Sequence, residues 1–264
     1  MGNFVNHKPV AKSVIIPGII VSLTIALGAC SSTGTGISNN NDPITTGSIE
    51  KGSLKSTVAA RKAWQADKRD LRKGMAYVRQ LQALGQHREQ LLVLEQMIKI
   101  HPTNTKLLVF YGKRLITNGQ SKEAVNILKQ AENRGERDWR LYSALGSALD
   151  QTGQHAQAQS YYQRALQLNP TEVKIQNNLA MSYMLEGKFA NAEKILRTAN
   201  NTPKGRALPR IRQNLALVVG LQGRFNEARQ IASRDLPKEQ VEANMAYLKT
   251  MMSRNDSWSK LKKS

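Results

Sequence analysis

Cysteine and aromatic residues are scarce in this sequence, and each shortage excludes a class of protein. The single cysteine among 264 residues allows no internal disulfide, no CxxC redox pair and no cysteine-based metal site. Phe, Trp and Tyr together make up 5% of the chain, so any core is filled mainly by Leu, Ala, Ile, Val and Met. Such a composition favours helices packed closely through small residues over a β-sandwich.

Acidic residues are also few. The chain has 19 Asp and Glu against 39 Lys and Arg, which gives a formal charge of +20. A field of this sign favours anionic partners, such as nucleic acid, acidic lipid, cell-wall polymer or an acidic protein face, without selecting one of them. The alternative is that the charges mainly solvate the outer faces of helices.

Motifs for catalysis and metal binding are missing from the sequence as well. No GxSxG or P-loop motif occurs, and the carboxylates are scattered, so no acid–base pair stands out. The histidines lack a metal-ligand spacing such as HxxxH; they are His7, His87, His101 and His155. The sequence therefore predicts a protein that is not an enzyme and that holds no metal or dissociable cofactor.

Residues 1–29 are predicted to be a signal peptide. A polar start with Lys8 and Lys12 precedes a largely apolar run at 14–29. The run is short for a membrane-spanning helix, which needs about 20 residues. A basic start, a short apolar stretch and small residues at its end are typical of a secretory signal.

The end of this run reads Leu27-Gly28-Ala29-Cys30, which resembles the bacterial lipobox. The resemblance implies cleavage before Cys30 and acylation of both its sulfur and its new amine, with chains such as palmitate. Two or more acyl chains hold a protein stably on a membrane. By resemblance to enteric sorting signals, Ser31 in place of Asp implies delivery to the outer membrane, with the protein facing the periplasm.

Residues 30–53 are the predicted tether. They are mainly Ser, Thr, Gly and Asn, with almost no large apolar side chains. Such a segment buries too little apolar surface to offset the entropy lost on ordering. We therefore predict a flexible linker between Cys30 and a folded part that begins near residue 54.

A repeat follows the linker. Gly85, Gly119, Gly153 and Gly187 are each 34 residues apart, and Gly223 follows after 36. A helical hairpin needs a residue that tolerates positive φ at its tight turn, and glycine does so without steric cost. Spacing of this kind predicts a stack of helix-turn-helix units.

The segment 139–172 shows the unit most clearly. It resembles the tetratricopeptide repeat (TPR), in which small residues allow close packing, a glycine makes the turn and a proline ends the unit. The residues that carry the resemblance are Leu145, Gly146, Gly153, Ala158, Tyr162, Ala165 and Pro170. The resemblance implies an all-α solenoid of about four to five repeats with capped ends.

The units keep one phase along the chain. We predict a basic N-terminal helix with a degenerate repeat at 54–104, repeats at 105–138, 139–172, 173–206 and 209–242, a capping helix at 238–254 and a basic tail at 255–264. The first repeat is degenerate because Val78 and Gln90 stand where small residues belong. The last repeat departs from the pattern where Asp235 replaces a small residue.

In TPR arrays the first helix of each unit lines a concave groove that binds proteins. The resemblance predicts a groove lined by Lys106, Lys113, Arg140, Lys174, Asn177, Asn178, Met181, Met184, Arg210, Asn214 and Leu217. The asparagines would bind a partner's backbone, the apolar residues would form an adaptable floor, and the basic residues would favour an acidic ligand or a C-terminal carboxylate. The alternative is that Met181 and Leu217 only pack between repeats and that the asparagines bond to neighbouring helices.

The lipobox, the Ser/Thr/Gly linker and the repeats together resemble TadD, the TPR lipoprotein family of the tight-adherence (Flp pilus) secretion system. The more specific part of the likeness lies in segments 84–87, 101–104 and 234–248. The resemblance implies an outer-membrane assembly factor whose partner is the pilus secretin or another pilus component. A linker of this kind would keep the groove at high local concentration near the membrane.

Two other interpretations stay open. One is a related scaffold with the same anchor and repeats, either a type IV pilotin of the PilF or PilW kind or an adaptor for outer-membrane barrel or murein machinery. The other is a polyanion binder, whose affinity would fall steeply with salt. An exported destination argues against nucleic acid, and self-association is left open.

Overall fold

The computed structural model describes residues 53–261, with side-chain surroundings described up to residue 253. The predicted signal peptide at 1–29, Cys30, its linker up to residue 52 and the end of the basic tail at 262–264 lie outside the described residues. All elements of the described part are helices. They are α1 (Leu54–Ala66), α2 (Leu71–Ala83), α3 (His87–Ile100), α4 (Thr105–Thr117), α5 (Ser121–Asn133), α6 (Trp139–Gln151), α7 (His155–Leu168), α8 (Val173–Leu185), α9 (Phe189–Asn200), α10 (Pro203–Arg206), α11 (Pro209–Leu221), α12 (Phe225–Ala232) and α13 (Lys238–Leu261).

Consecutive helices pack as hairpins. α4 packs on α5, α6 on α7, α8 on α9 and α11 on α12. Each second helix also packs on the first helix of the next unit, and α3 connects the degenerate pair α2–α3 to α4. This arrangement confirms the predicted all-α repeat solenoid.

A glycine with positive φ closes each hairpin. The φ angle is 69° at Gly85, 77° at Gly119, 79° at Gly153, 75° at Gly187 and 81° at Gly223. A Cβ atom added at any of these positions would meet nothing within 4 Å. Backbone conformation alone therefore requires the glycine, as the spacing predicted.

Within a unit, a small residue on the first helix faces a large residue on the second. A Cβ atom at Gly146 would lie 2.6 Å from the ring of Tyr162, which is itself 2% exposed. Ala180 and Leu196 occupy the equivalent positions one repeat later and are both fully buried. The two helices of a unit can approach closely because one side of this contact carries almost no side chain.

The degenerate first unit closes in a different way. Val78 and Gln90 are both fully buried. The Nε2 atom of Gln90 donates a hydrogen bond of 3.2 Å to the carbonyl oxygen of Val78. The side-chain N–H of Gln90 thus has a partner on the facing helix, whereas its Oε1 is buried without a hydrogen-bond partner among the described residues.

Helix α1 covers the start of the array. Trp64 is 4% exposed and its ring stacks on Tyr77, with 5.9 Å between centroids. The Ser56 hydroxyl donates a hydrogen bond of 2.8 Å to Oε1 of Gln80 in α2. These contacts fix α1 against α2 and bury the apolar side of the first unit.

Helix α13 covers the other end of the array. Val241, Met245 and Leu248 of this helix are buried, and the last two join the core cluster of the preceding repeats. The helix continues to Leu261, beyond the predicted end at residue 254, so much of the predicted tail is helical. The reason is local, since no glycine or proline interrupts the sequence from 238 to 261.

A short helix accounts for the 36-residue spacing before Gly223. Pro203 lies near the end of the predicted repeat 173–206, where the repeat pattern places a proline, but it begins α10, between α9 and α11. The Thr202 hydroxyl caps this helix by accepting a hydrogen bond of 2.9 Å from the backbone N–H of Gly205. The proline fits the first turn because its missing N–H is not needed there.

Asp235, the departure from the repeat pattern, has a structural role. Its Oδ2 accepts a hydrogen bond of 2.7 Å from Nε of Arg212 on α11. The two side chains are only 14% and 8% exposed. The small residue expected at this place is replaced by half of a largely buried ion pair that ties α11 to the segment after α12.

Candidate protein-binding face

The first helices of successive units form one continuous layer. α4 contacts α6, α6 contacts α8 and α8 contacts α11, whereas the second helices of the described units make no comparable contacts with one another. Helices that lie closer together are on the inside of a curved stack. We call the solvent-facing side of α4, α6, α8 and α11 the inner face.

Most of the predicted groove residues lie on this face. Half-buried side chains are those of Arg140, Asn178, Met181, Met184, Asn214 and Leu217. Exposed side chains are those of Lys106, Lys113, Lys174 and Arg210. Asn177 is different, because it is 4% exposed and belongs to the interior.

The asparagines divide between the two roles considered from the sequence. Nδ2 of Asn214 donates a hydrogen bond of 2.6 Å to Oδ1 of Asn177 in the preceding unit. Nδ2 of Asn177 in turn donates a hydrogen bond of 3.4 Å to Oδ1 of Asn178. Asn177 therefore joins two repeats, which corrects its assignment to the groove, while Asn178 and Asn214 stay partly open to solvent. The sequence could not separate them because the pairing depends on how one unit is rotated against the next.

A basic residue occupies the second position of every first helix. These residues, which we call the basic edge, are Arg72, Lys106, Arg140, Lys174 and Arg210. They are spaced by 34 or 36 residues and so recur once per unit along the stack. The N-terminal turns of helices carry a partial positive charge, which adds to the charge of the side chains. The sequence contained this regularity, although Arg72 was not assigned to the groove.

Carboxylates compensate only part of the basic edge. Nη1 of Arg140 lies 3.1 Å from Oδ2 of Asp138, and Nη2 of Arg72 lies 3.6 Å from Oδ2 of Asp70. In α4 and α11 the residues that precede the helix are uncharged, Asn104 and Leu208. In α8 the capping residue is Glu172, which accepts a hydrogen bond of 3.3 Å from the backbone N–H of Lys174 and also pairs with Lys204. Three of the five bases therefore have a carboxylate at the start of their helix, and the positive charge is least opposed at Lys106 and Arg210.

Apolar side chains lie at the other end of α8 and α11, whereas α4 and α6 have Thr117 and Gln151 there. Residues eleven positions after the basic edge are Leu185 in α8, which is 56% exposed, and Leu221 in α11, which is half-buried. A helix rises about 1.5 Å per residue, so this apolar edge lies roughly 16 Å from the basic edge. Neither leucine was predicted, although the spacing i, i+4, i+7, i+11 from Lys174 and Arg210 could have found them.

Two predicted floor residues also contribute to the core. Met184 and Leu217 are half-buried and pack against the cluster formed by the last repeats. Phe110 of α4, which the sequence analysis did not predict, also lies on the inner face. The guanidinium carbon of Arg114 lies over the Phe110 ring, 5.1 Å from the ring centroid. Burial lowers the pKa of Arg114 from its ordinary value. The inner face thus has apolar surface, but part of that surface packs against the core of the last repeats.

Several acids are held on the opposite, outer face, where they connect repeats. Glu193 of α9 accepts hydrogen bonds from Arg224 and from Nε of Arg197, the latter at 2.7 Å. Arg224, Gln222 and Arg197 lower the pKa of Glu193 to about 2. Glu132 of α5 similarly binds side chains of α7. These acids are neutralised between second helices, which leaves the bases of the inner face less opposed.

One cluster in the interior contains groups that serve catalysis in other proteins. Oδ1 of Asp150 lies 2.9 Å from Nδ1 of His155 and accepts a hydrogen bond of 2.7 Å from Oγ of Ser182. Both partners bind the same carboxylate oxygen, and the hydroxyl is not directed at the imidazole, so a nucleophile–base pair is not formed. Within residues 53–253, no group of three or more His, Cys, Asp or Glu side chains could hold a metal ion.

Over residues 53–261, no helix is both long enough and apolar enough to cross a membrane.

Comparison with known protein families identifies the repeat. Residues 112–172 and residues 151–208 each match a family model described as tetratricopeptide repeat. A curated relative from Sinorhizobium fredii, uncharacterized protein y4yS, is 30% identical over 108 residues, which are 41% of this chain and 59% of that protein. The match thus spans less than two thirds of that relative.

Solved structures share the fold. PilW, described as a widely conserved type IV pilus biogenesis factor, matches with a TM-score of 0.61 and 17% identity over 75% of this chain and 90% of that one. YrrB, described as a TPR protein with an unusual peptide-binding site, matches with a TM-score of 0.55 and 17% identity over 74% and 99%. MamA matches with a TM-score of 0.52 and 22% identity over 64% and 92%.

Proposed function

We propose that this tetratricopeptide-repeat protein is a non-catalytic scaffold that binds an extended, acidic segment of a partner protein along its inner face. The observation that carries the proposal is the basic edge, which places one cation per repeat at the start of each first helix. A segment lying across the helices would pass one such cation in every repeat.

The two edges of the inner face define the kind of segment that fits. In an extended chain, successive side chains point to opposite sides. Acidic residues on one side would meet Lys106, Lys174 and Arg210, while apolar residues on the other side would meet Leu185 and Leu221. Asn178 and Asn214 lie between the edges and can bond the backbone of the segment.

We place this activity at the outer membrane, on the periplasmic side, in the assembly of a Flp pilus. The lipobox at Cys30 and the likeness of segments 84–87, 101–104 and 234–248 to TadD support this setting, and the similarity in fold to PilW is consistent with it. The partner we propose is the secretin of the pilus, held through a tail or another extended segment. The acyl chains would confine the inner face to the membrane where that secretin forms its ring.

Binding of a defined peptide tests the inner face. The probe is a short fluorescein-labelled peptide in which Glu and Leu alternate, compared with one in which Lys replaces every Glu. We expect the acidic peptide alone to bind, and Lys106→Glu combined with Lys174→Glu and Arg210→Glu to weaken it by about tenfold or more. Fluorescence anisotropy measures the affinity.

The matched control reverses exposed lysines on a second helix. Lys122→Glu with Lys129→Glu changes the net charge of α5 without touching the inner face. If this variant weakens binding as much as the basic-edge variant does, charge alone explains the affinity and the proposed site is wrong. Leu185→Ser tests the apolar edge in the same assay and is expected to weaken binding without affecting folding, because Leu185 is 56% exposed.

Crosslinking and pull-down from native envelopes test the setting. Recovery of a pilus secretin that is lost with Leu185→Glu and mislocalised with Cys30→Ala would support the proposal. Leu185 is the better choice than Met184, because Met184 packs against the core and its replacement would also disturb the fold. Recovery of barrel-insertion or murein proteins instead would contradict the pilus assignment and leave the scaffold role intact.

A further inference from the structure

No other described helix covers the outer side of α1. One side of α1 packs on α2 through Thr57 and Trp64, which are 8% and 4% exposed. Leu54 and Val58, one helical turn apart, are 72% and 65% exposed. These are the highest values among the exposed large hydrophobic side chains of the described part. Two apolar residues are thus held in solvent by a helix that is otherwise well fixed.

Basic residues surround this apolar pair. Between residues 53 and 69 the only acid is Asp67, whereas the bases are Lys55, Arg61, Lys62, Lys68 and Arg69. At about 100° per residue, Lys55 and Lys62 fall on the same side of α1 as Val58 and opposite to Trp64. The one acid of this stretch, Asp67, lies 3.3 Å from Nζ of Lys73 on α2, so its charge is directed toward α2. We call Leu54, Val58, Lys55 and Lys62 the α1 face.

We infer that the α1 face docks on the surface of an anionic lipid bilayer. Helices that lie in a membrane interface combine exposed apolar side chains with Lys and Arg, because the first enter the acyl boundary and the second bind acidic headgroups. A soluble polyanion would use the bases but leave Leu54 and Val58 in water. A bilayer surface satisfies both halves of the α1 face.

The position of α1 in the chain supports this occupant. Ser53 lies 23 residues after Cys30, and α1 is the first described helix. This step relies on the lipid anchor in the proposed function, whereas the charge and exposure of α1 do not. A lipid on Cys30 would keep α1 nearer to the bilayer, along the chain, than any later helix.

Vesicle flotation of residues 31–264 tests the inference without the lipid. The described residues belong to one compact unit that excludes residues 1–48, so this form keeps the whole fold. We expect binding to phosphatidylcholine vesicles only when they contain phosphatidylglycerol, with a partition coefficient that falls as salt is raised. Lys55→Gln with Lys62→Gln should lower the coefficient by about thirtyfold. Leu54→Ser with Val58→Ser should lower it by about tenfold.

Controls separate the bilayer from other anionic ligands and from the inner face. Lys122→Gln with Lys129→Gln should leave flotation unchanged, and all variants should keep the far-UV circular dichroism of the wild type. Equal binding to vesicles without phosphatidylglycerol would overturn the inference. The inference would also be overturned by two results together, namely heparin binding that depends on the same lysines and no effect of Leu54→Ser with Val58→Ser on flotation. The α1 variants should bind the Glu/Leu peptide normally, so a failure of the inner-face proposal would be seen separately.

Discussion

Replacing Gly146 with alanine tests the close packing on which the shape of each unit depends. The added Cβ atom would lie 2.6, 2.7 and 2.9 Å from Cε1, Cδ1 and Cζ of Tyr162, whereas ordinary contact begins at 3.4 Å. The ring is 2% exposed and rigid, so it has to shift as a body or push α6 and α7 apart. Two opposing effects therefore determine the free energy of unfolding.

The effect of Gly146→Ala on the free energy of unfolding should change sign between the wild-type and the Tyr162→Leu background. Alanine in place of glycine inside a helix stabilises by about 1 kcal/mol. Overpacking a filled core costs about 1–3 kcal/mol, so Gly146→Ala alone should be neutral to destabilising by up to about 2 kcal/mol. The buried pair Ala180 and Leu196 one repeat later shows that a leucine can face an alanine here, although Leu128 facing Gly112 occupies the space of the missing Cβ. In the Tyr162→Leu background the smaller and more flexible side chain can therefore shift away from the added methyl group. There the same change should stabilise by about 0.5–1 kcal/mol.

Urea unfolding followed by circular dichroism measures all four members of this cycle. The quantity compared is the effect of Gly146→Ala in the two backgrounds, read from midpoints at equal slope. A coupling of at least about 1 kcal/mol is expected, because the two side chains touch. If Gly146→Ala has the same effect with and without Tyr162→Leu, the ring does not limit the approach of the helices and the reasoning is refuted.

Three further changes have defined outcomes. Glu193→Gln should lower the free energy of unfolding by about 1–2 kcal/mol at pH 7, after allowance for the exposure of Arg224. Because the pKa of Glu193 in the folded protein is lowered to about 2, the difference between wild type and variant should disappear as pH falls from about 4.5 toward 2, which thermal melts at several pH values measure. Asp235→Asn should cost about 2–4 kcal/mol, because it leaves Arg212 largely buried without its counter-charge, and equal melting temperatures for variant and wild type would contradict this. Gly153→Ala should cost about 1 kcal/mol from its φ of 79° alone, and a smaller cost for Gly153→Asn in urea unfolding would confirm the conformational origin.

The turns and the packing inside each unit could be predicted because they depend on local rules. Gly85 through Gly223 keep the positive φ that the spacing required, and Gly146 faces Tyr162 as the repeat signature implies. The capping role of Val241 follows from helical periodicity alone. Each of these features is decided within one helix or one hairpin, where sequence spacing fixes geometry.

The contacts between units could not be predicted in the same way. Asn177 and Asn214 are 37 residues apart, and only the rotation between two repeats turns one amide inward and leaves the other at the surface. Asp235 broke the repeat pattern in the sequence, but its partner Arg212 became evident only from the path of the chain after α12. The apolar edge was missed at Leu185 because a leucine near the end of a helix reads as core when its neighbours are unknown.

The hairpins of this protein touch mainly the hairpins before and after them. Opening an internal hairpin therefore breaks two interfaces, whereas opening a terminal one breaks a single interface. Local unfolding should therefore start at the ends of the array, so amide hydrogen exchange should be fastest in α1 and α13 and slowest in α6 to α8. α6 and α8, the middle helices of the inner face, are thus the last to open, so a segment bound across them would stabilise the part of the chain that is already the most stable.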